Sequence, residues 1–447
     1  MITLERQHSW LQRHLGAAPA HTHEAAAPAW LAAARQQARL SAMQQPLHGR
    51  QHESWRYSSI EGLLRQEFTL STESHDDHAG RIDESRLADL DSYRVVMING
   101  RYSPALSELG ALPQGAMLAG LGEAMSSDPE LLAAWFGAGP SQEGSIFSAL
   151  NTALGSDGFV LHLESNVRLQ RPVEVVHLNL GAEQQLMMTP RNLVVLQPGA
   201  EATLIERFIG DSPAVYFHNG LTQVNLQQDA ALRHYRLQQE SLAAWHLSSL
   251  SISQQSRSNY RGATLAFGGR WSRTEYQLDF DERHASSSLD GLYMVGDGQF
   301  TDFHLKIRHL AAECDSRERF KGILHGEGRA VFDGHILVDR DAQHSDAQLS
   351  NDNLMLTRNA EIDTKPQLEI YADDVKCSHG TTVGQLDPQQ LFYMRSRGIG
   401  ATAARAMLCR GFAAEIIDGI DSAALRAYAA LLLDSSLEGA LRSAGGN

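Results

Sequence analysis

The 447-residue sequence is 43% hydrophobic and 20% charged, and it carries a formal net charge of -15 at pH 7. A chain of this length can bury a large core in more than one structural unit, and its acidity argues against a nucleic-acid partner. The three cysteines, Cys314, Cys377 and Cys409, are odd in number and far apart, which does not suit a secreted disulfide framework but suits a reducing cytosol.

The N-terminal segment predicts helices and no targeting sequence. Residues 1–16 include Glu5 and several polar side chains, so they lack the uninterrupted apolar stretch of a signal peptide. No part of the sequence reaches the roughly 18 apolar residues that a membrane helix needs. We therefore expect a soluble, cytoplasmic protein without a membrane partner. Trp30–Gln45 is rich in Ala, Arg and Gln, with apolar residues at helical spacing, and predicts a helix.

Local signals next predict a hairpin and then helices. The segment Tyr93–Tyr102 reads as two strand-like runs around Asn99 and Gly100, the dipeptide that two-residue hairpin turns prefer. Leu118–Leu150 is rich in Ala and Leu and predicts one or two helices. The first part of the chain is therefore expected to be helical, with one small hairpin.

From Phe159 to about Ile370 the sequence predicts an all-β unit. Short runs rich in Val, Ile, Leu, Phe and Tyr recur between turn residues, and no helical pattern is long enough for the crossovers of a doubly wound sheet. Several runs share a turn-small-apolar phrase, as in PGAEATLIERF and GEGRAVFDGHI, which indicates a weak repeat. A sandwich, a barrel and a parallel β-helix all remain open from this pattern.

Candidate chemistry concentrates in one segment, Pro366–Gly398. If Val375–His379 is extended, Cys377 and His379 project to the same side, so that a thiolate and an imidazole could approach one iron or sulfide together. A Cys-x-His pair alone is a weak signal. A free cysteine is usually a small buried hydrophobe, and a lone histidine is usually satisfied by hydrogen bonds.

The residues around this pair predict a turn and three C-terminal helices. Asp373 and Asp374 either attract iron or turn the chain. Pro388–Arg397 follows an aspartate that can cap it and ends at a glycine, which is typical of a short helix. Two further helices are predicted over Ala401–Phe412 and Ala423–Leu433, and they either fold back on the β unit or present a groove to a partner.

The sequence lacks the motifs of several self-contained enzymes. It contains no Gly-x-x-x-x-Gly-Lys-[Ser/Thr] phosphate loop, no Gly-x-Ser-x-Gly elbow, no Cys-x-x-Cys and no His-Glu-x-x-His. These absences favour a scaffold over an enzyme. A β-helical polysaccharide-processing enzyme is the rival class, but it would need clustered carboxylates on one face. The cysteine usage and the lack of a signal peptide speak against that rival.

One long motif near the C-terminus resembles a known family. The segment YADDVKCSHGTTVGQLD, residues 371–387, followed by LFYMRSRGI, residues 391–399, is similar to the SufB/SufD family, the β-helical subunits of the SUF iron-sulfur cluster assembly machine. The element HESWRY, residues 52–57, resembles the SufD type within that family. SufB-type chains carry a cysteine-rich N-terminal element, whereas the first cysteine here is Cys314.

The resemblance implies a fold class and a division into domains. The fold is expected to be mainly β, a right-handed parallel β-helix flanked by N-terminal and C-terminal helical regions. Residues 1–155 would form the N-terminal helical region with its small hairpin, and residues 156–385 the parallel β-helix core. Residues 386–447 would form the C-terminal helical region that docks the ATPase subunit SufC.

The resemblance also implies a function. We expect a non-catalytic, SufD-like scaffold subunit of a SufB-SufC-SufD complex, in which SufC hydrolyses ATP and a cluster forms at the SufB-SufD interface. His379 is the residue that the resemblance implicates in cluster assembly, and Cys377 is the second candidate; both are candidate metal ligands. The expected SufC-binding residues are Leu391, Phe392, Tyr393, Arg395 and Arg397.

Cofactors and partners follow from the same resemblance. We expect a transient iron-sulfur cluster at the complex interface and no cofactor on the isolated chain. A SufB-type subunit would form a heterodimer with the chain, and isolated chains could pair as a homodimer. Cys314 and Cys409 are expected to be buried packing residues. A SufB-like primary cluster scaffold and a purely structural interaction platform are the alternatives.

Overall fold

The chain folds as a parallel β-solenoid of about eight turns with helices at both ends. This computed structural model describes residues 4–16, 28–45, 52–72, 78–136, 145–155, 157–181 and 184–444. The predicted fold class, a mainly β chain with a parallel β-helix between helical regions, is confirmed. Among the described helices, none combines the length and the hydrophobicity needed to cross a membrane.

Twenty-one strands and nine α-helices lie in the described ranges. The strands are β1 (Thr69–Leu70), β2 (Tyr93–Ile98), β3 (Arg101–Tyr102), β4 (Ala116–Gly120), β5 (Phe159–Leu163), β6 (Val173–Asn179), β7 (Leu186–Met188), β8 (Arg191–Leu196), β9 (Glu201–Gly210), β10 (Tyr216–Leu226), β11 (Ala231–Gln239), β12 (Trp245–Gln254), β13 (Asn259–Ala266), β14 (Trp271–Phe280), β15 (Ser286–Val295), β16 (Phe300–His309), β17 (Asp315–Leu324), β18 (Arg329–Val338), β19 (Asp346–Met355), β20 (Glu361–Ile370) and β21 (Lys376–Gly384). The helices are α1 (Leu4–Gly16), α2 (Ala29–Gln44), α3 (Ala79–Glu84), α4 (Leu121–Ser127), α5 (Pro129–Trp135), α6 (Ile146–Leu154), α7 (Pro388–Ser396), α8 (Ala401–Ile417) and α9 (Ala423–Ala444).

Successive strands alternate between two sheets, so each turn of the solenoid adds one strand to each sheet. Sheet A has the order β20-β18-β16-β14-β12-β10-β8-β5-β4, with β1 and β7 attached beside β10. Sheet B has the order β21-β19-β17-β15-β13-β11-β9-β6-β2-β3. Strands of neighbouring turns pair in parallel and in register, as in the column formed by Trp245, Trp271 and Phe300. Stacked identical positions are the basis of solenoid stability, because each turn buries its inward side chains only against its neighbours.

The predicted hairpin is confirmed and joins sheet B. β2 and β3 pair antiparallel across Asn99 and Gly100, whose φ angles are 49° and 77°. Both angles lie in the left-handed region, which asparagine and glycine tolerate better than other residues. β2 also pairs in parallel with β6. The division of the chain at residues 155 and 385 stays a prediction about domain organisation.

Helices cover the outer faces of both sheets. The N-terminal helices pack on sheet A, where Trp55 is buried beside Trp271 and its ring lies 4.0 Å from the guanidinium carbon of Arg273. The C-terminal helices α8 and α9 pack on sheet B in a cluster that includes Leu265 and Ile417. α8 and α9 therefore fold back on the β unit. Both extend past their predicted ends, because apolar residues that contact the sheet continue along them.

The interior of the solenoid is packed with apolar and aromatic side chains but also holds a carboxylic acid, Glu318. Phe320 on β17 of sheet B packs between Phe303 and Phe332 of sheet A, and in both pairs the tilted rings have centroids 5.1 Å apart. Glu318 lies in register between Leu289 and Leu349 and is fully buried. Burial raises its pKa to about 8, although a hydrogen bond from the Ser316 hydroxyl opposes the shift. The acid is therefore protonated at neutral pH.

This buried acid predicts a pH-dependent stability. The unfolded carboxyl group ionises near pH 4.3 and the folded group near pH 8. Between these values the native state binds the extra proton, so the free energy of unfolding is expected to fall as the pH rises from about 4 to about 8. Glu318→Gln removes the ionisable group and is expected to raise the free energy of unfolding at about pH 8 by a few kcal/mol, since one pKa unit corresponds to about 1.4 kcal/mol.

Urea unfolding of the full chain at about pH 5 and about pH 8 measures this difference. The exposed Glu327→Gln is the control, because it removes one carboxylate from a surface turn and leaves the interior unchanged. Equal pH slopes for wild type and Glu318→Gln would show that Glu318 does not carry the effect.

Candidate functional site

The solenoid ends on an open turn formed by β20 and β21. β20 pairs with β18 and β21 pairs with β19, and within the described chain no further strand covers the other edge of either. Neither strand contains a fully buried residue. Apolar side chains stay exposed here, with Ile370, Tyr371 and Val383 at 41%, 57% and 54% exposure. We call this surface, β20 and β21 with their connecting bend, the open end.

Cys377 and His379 lie on the last strand of the open end. Their Cα partners on β19 are Ala347 and Leu349, which are buried and belong to the interior core. Because parallel strands in register stack like positions on like positions, Cys377 and His379 continue the inward-facing columns by one turn. Cys377 is half-buried against the core, whereas His379 is exposed. The expectation that this segment is extended is confirmed.

The three cysteines differ in their surroundings. Burial raises the pKa of Cys314 and of Cys409 to about 11, and both side chains are fully buried. Their expected role as packing residues is confirmed. Burial also raises the pKa of Cys377, but this thiol is only partly covered. Cys377 is therefore the cysteine that a metal ion or a second protein can reach.

The two aspartates before β21 lie in the bend of the open end. The backbone N–H of Asp374 donates a hydrogen bond to Gln343 Oε1 at 3.0 Å, and the Asp374 carboxylate lies 3.1 Å from Nδ1 of His344. Asp373 is exposed. The contacts of Asp374 hold the bend against the turn below, so of the two interpretations of this pair the structure supports a turn.

Helix α7 follows the open end and buries little of its own surface. The Asp387 carboxylate caps it by accepting a hydrogen bond from the Gln389 N–H at 2.8 Å, and no residue of α7 is buried. Phe392 and Tyr393 are 73% and 60% exposed, which is exceptional for large hydrophobic side chains. The guanidinium of Arg397 lies 5.2 Å from the Tyr393 ring centre.

The other predicted partner-binding residues lie on the same helix. Arg395 is exposed in its last turn, and Leu391 is half-buried in a groove shared with Leu386, Arg405 and Leu441. Four of the five predicted partner-binding residues therefore lie on α7 beside the open end, and Arg397 follows directly as its C-cap residue.

Sequence reasoning missed the apolar rim of the open end. Tyr371 lies in the bend and Val383 on the last strand, and neither position is distinguishable in sequence from the buried positions of earlier turns. The signal that identifies them is the end of the strand-turn repeat, since the final turn has no successor to bury it.

The donor set of the open end suits iron as a cargo. A thiolate is a soft ligand and a neutral imidazole is a borderline one, and both bind iron in proteins. Fold and site together define a β-solenoid protein that ends on an open turn and presents a thiol and an imidazole there.

Comparisons with known proteins agree with this class. Residues 179–412 match the SufBD core domain of SUF-system iron-sulfur cluster assembly, and residues 16–175 match the SufBD N-terminal region. The chain is 31% identical over 399 residues to the iron-sulfur cluster assembly protein SufD of Escherichia coli, covering 88% of this chain and 90% of that protein. It is 31% identical over 382 residues to an iron-sulfur cluster assembly SufBD family protein of Synechocystis, covering 84% of each. The chain belongs to the SufBD family of iron-sulfur cluster assembly proteins.

Proposed function

We propose that this protein is a SufD-like, non-catalytic scaffold subunit of a cytoplasmic SufB-SufC-SufD complex and assists cluster formation at the interface with a SufB-type subunit. The observation that supports this best is the open end, where the inward columns of the solenoid terminate in a reachable thiol and an exposed imidazole. A neighbouring subunit that covers this end would enclose both groups.

The number of donors requires such a neighbour. Iron-sulfur clusters are generally held by four protein ligands. The open end offers two, Cys377 and His379, so at least half of the ligands of a cluster at this place must come from elsewhere. A transient cluster shared between subunits satisfies this count, and none is expected on the isolated chain.

The backbone of the open end also fits a protein partner. The outer edges of β20 and β21 present unpaired N–H and C=O groups, and such edges invite pairing with another chain. Exposed Ile370, Tyr371 and Val383 add apolar area beside them. In the proposed complex a SufB-type subunit occupies this surface. In its absence a second copy of the chain is expected there as a homodimer.

Helix α7 is the proposed docking element for the SufC-type ATPase. Aromatic residues and arginine are enriched at interface cores. α7 exposes Phe392, Tyr393 and Arg395, and its C-cap residue Arg397 is exposed beside them. ATP hydrolysis is assigned to that partner.

A purely structural role for Cys377 is the second candidate, because its side chain packs partly against the interior core. In that case the open end would join subunits without metal chemistry. Iron and sulfide analysis of the complex distinguishes the two candidates.

The proposal is tested by coexpressing the full chain with SufB-type and SufC-type subunits. We expect the three proteins to copurify, and the anaerobically reconstituted complex to hold more iron and sulfide than the same preparation without this chain. Size-exclusion chromatography of the chain alone gives its oligomeric state. A chain that copurifies with neither subunit, or that adds no iron or sulfide, contradicts the proposal.

A further inference from the structure

Far from the open end, two histidines and a glutamate meet inside the solenoid. His218 on β10 and His246 on β12 are Cα partners in sheet A, and their rings stack with centroids 4.9 Å apart and an interplanar angle of 9°. Glu240 lies in the connection between β11 and β12, and its carboxylate lies beside the two imidazoles. His218 is 1% exposed, His246 is 2% exposed and Glu240 is 4% exposed. They form a sealed group in the middle turns of the solenoid.

We propose that His218, Glu240 and His246 bind a divalent transition-metal ion inside the solenoid. Each of the three offers one ligand atom, and these atoms lie within 4.8 Å of one another. Nδ1 of His218 and Nδ1 of His246 are buried and have no hydrogen-bond partner within the part of the chain that the structure describes. Nδ1 of His246 lies 2.7 Å from Glu240 Oε2, but the contact lacks the alignment of a hydrogen bond.

The carboxylate is oriented as metal-bound carboxylates usually are. The side-chain amide of Asn179 donates to Glu240 Oε1 at 3.0 Å, and the amide of Gln238 donates to Oε2 at 3.0 Å. Outer hydrogen bonds of this kind fix the direction of a ligand and tune its affinity.

The carboxyl group of Glu240 lacks a permanently cationic partner among the described residues. Among the described residues its ion-pair partner is His246, and no lysine or arginine lies within salt-bridge distance of it. A buried carboxylate without a cation is costly. A divalent ion would supply the missing positive charge.

A neighbouring group shows the alternative way of satisfying a buried carboxylate. Glu206 lies 2.8 Å from His234 Nε2, 3.3 Å from His177 Nε2 and 3.3 Å from Arg236 Nε, so it has a guanidinium and two rings around it. The Phe208 ring stands between the groups: it stacks on His177 at 4.5 Å and meets His218 edge-on at 5.3 Å. The Glu206 group is closed by internal ion pairs, whereas the Glu240 group is not.

The ligand chemistry selects the class of ion. Two imidazoles and one carboxylate bind first-row ions such as Zn²⁺ and Fe²⁺, and a water molecule can complete the coordination. Bonds of about 2.0–2.2 Å place ligand atoms roughly 3.3 Å apart in a tetrahedral site, so small side-chain rotations close the group around an ion. Because the residues are sealed from solvent, we expect the ion to enter during folding and to exchange slowly.

The test uses Co²⁺ as a spectroscopic probe and Zn²⁺ as its competitor. The full chain is unfolded with a chelator, refolded with either ion, desalted and analysed for metal. We expect the wild type to retain an equimolar amount, with the visible absorption of Co²⁺ in a nitrogen and oxygen site. His218→Gln and His246→Gln are expected to lower the retained metal by about tenfold or more. His234→Gln, an equally buried histidine in the Glu206 group, is the control that retains it.

Two further experiments distinguish this metal site from the proposed cluster chemistry at the open end. A chain carrying both Cys377→Ser and His379→Ala should retain the ion, because those residues lie at the open end. If the glutamine variants do not refold, X-ray absorption of the Co²⁺-loaded wild type decides: imidazole scattering supports the site, and sulfur ligands overturn it. A refolded wild type that retains neither ion, or glutamine variants that retain it fully, overturns the proposal.

Discussion

A complex assembled with His379→Ala in this chain is expected to accumulate at least about tenfold less iron and sulfide than the wild-type complex, with its subunits still associated. The substitution removes one of the two donors that the open end offers, and loss of residues that act on a bound metal typically costs that much. His379 is exposed on the last strand. Surface substitutions of this kind usually change the free energy of unfolding by less than about 0.5 kcal/mol.

The measurement is iron and sulfide content after anaerobic reconstitution with SufB-type and SufC-type subunits. The control is His335→Ala on β18, a half-exposed histidine whose ring lies 3.1 Å from Glu369 on the outer face. This substitution removes an imidazole but changes none of the inward-facing side chains that Cys377 and His379 continue. Cys377→Ser, measured in parallel, reports on the second donor. Wild-type iron and sulfide in the His379→Ala complex would remove His379 from cluster assembly.

Local backbone structure could be predicted from the sequence where the residues that determine it lie within a few positions of it. The turn at Asn99 and Gly100, the cap before Pro388 and the extended Cys377 segment all follow from dihedral preferences or short spacing. Helix ends were less predictable. α8 continues to Ile417 because apolar contacts with sheet B continue, and those contacts come from strands far away in sequence.

The solenoid itself could not be derived from periodicity alone. Alternating strands predict a half-buried sheet but do not say which strand is the neighbour, and here β10 pairs with β12 while β11 joins the other sheet. The choice between sandwich, barrel and β-helix came from the resemblance to a family.

The buried group of His218, Glu240 and His246 could not be predicted for the same reason, because the sequence does not show which strands are neighbours. No ligand-spacing motif connects these residues, since their meeting depends on the parallel register of two turns and on a strand connection.

Helix α7 leads to the second large prediction: Phe392→Ala combined with Tyr393→Ala should weaken binding of the SufC-type ATPase by roughly thirtyfold or more, about 2 kcal/mol. A single large aromatic residue at the centre of an interface can contribute about 2 kcal/mol, so the double variant should lose at least this much. The fold should be unaffected, because α7 contains no buried residue. Removing everything after residue 385 is a poorer test, since it would also strip α8 and α9 from sheet B.

Isothermal titration of the purified chain with the ATPase subunit measures the affinity, and circular dichroism checks the fold. Leu431→Ala is the matched control, because Leu431 is 66% exposed on α9 but is absent from the proposed surface. Arg395→Ala and Arg397→Ala are expected to weaken binding more at low than at high salt, as exposed charges do. An unchanged affinity of the aromatic double variant would assign the docking surface to another part of the C-terminal helices.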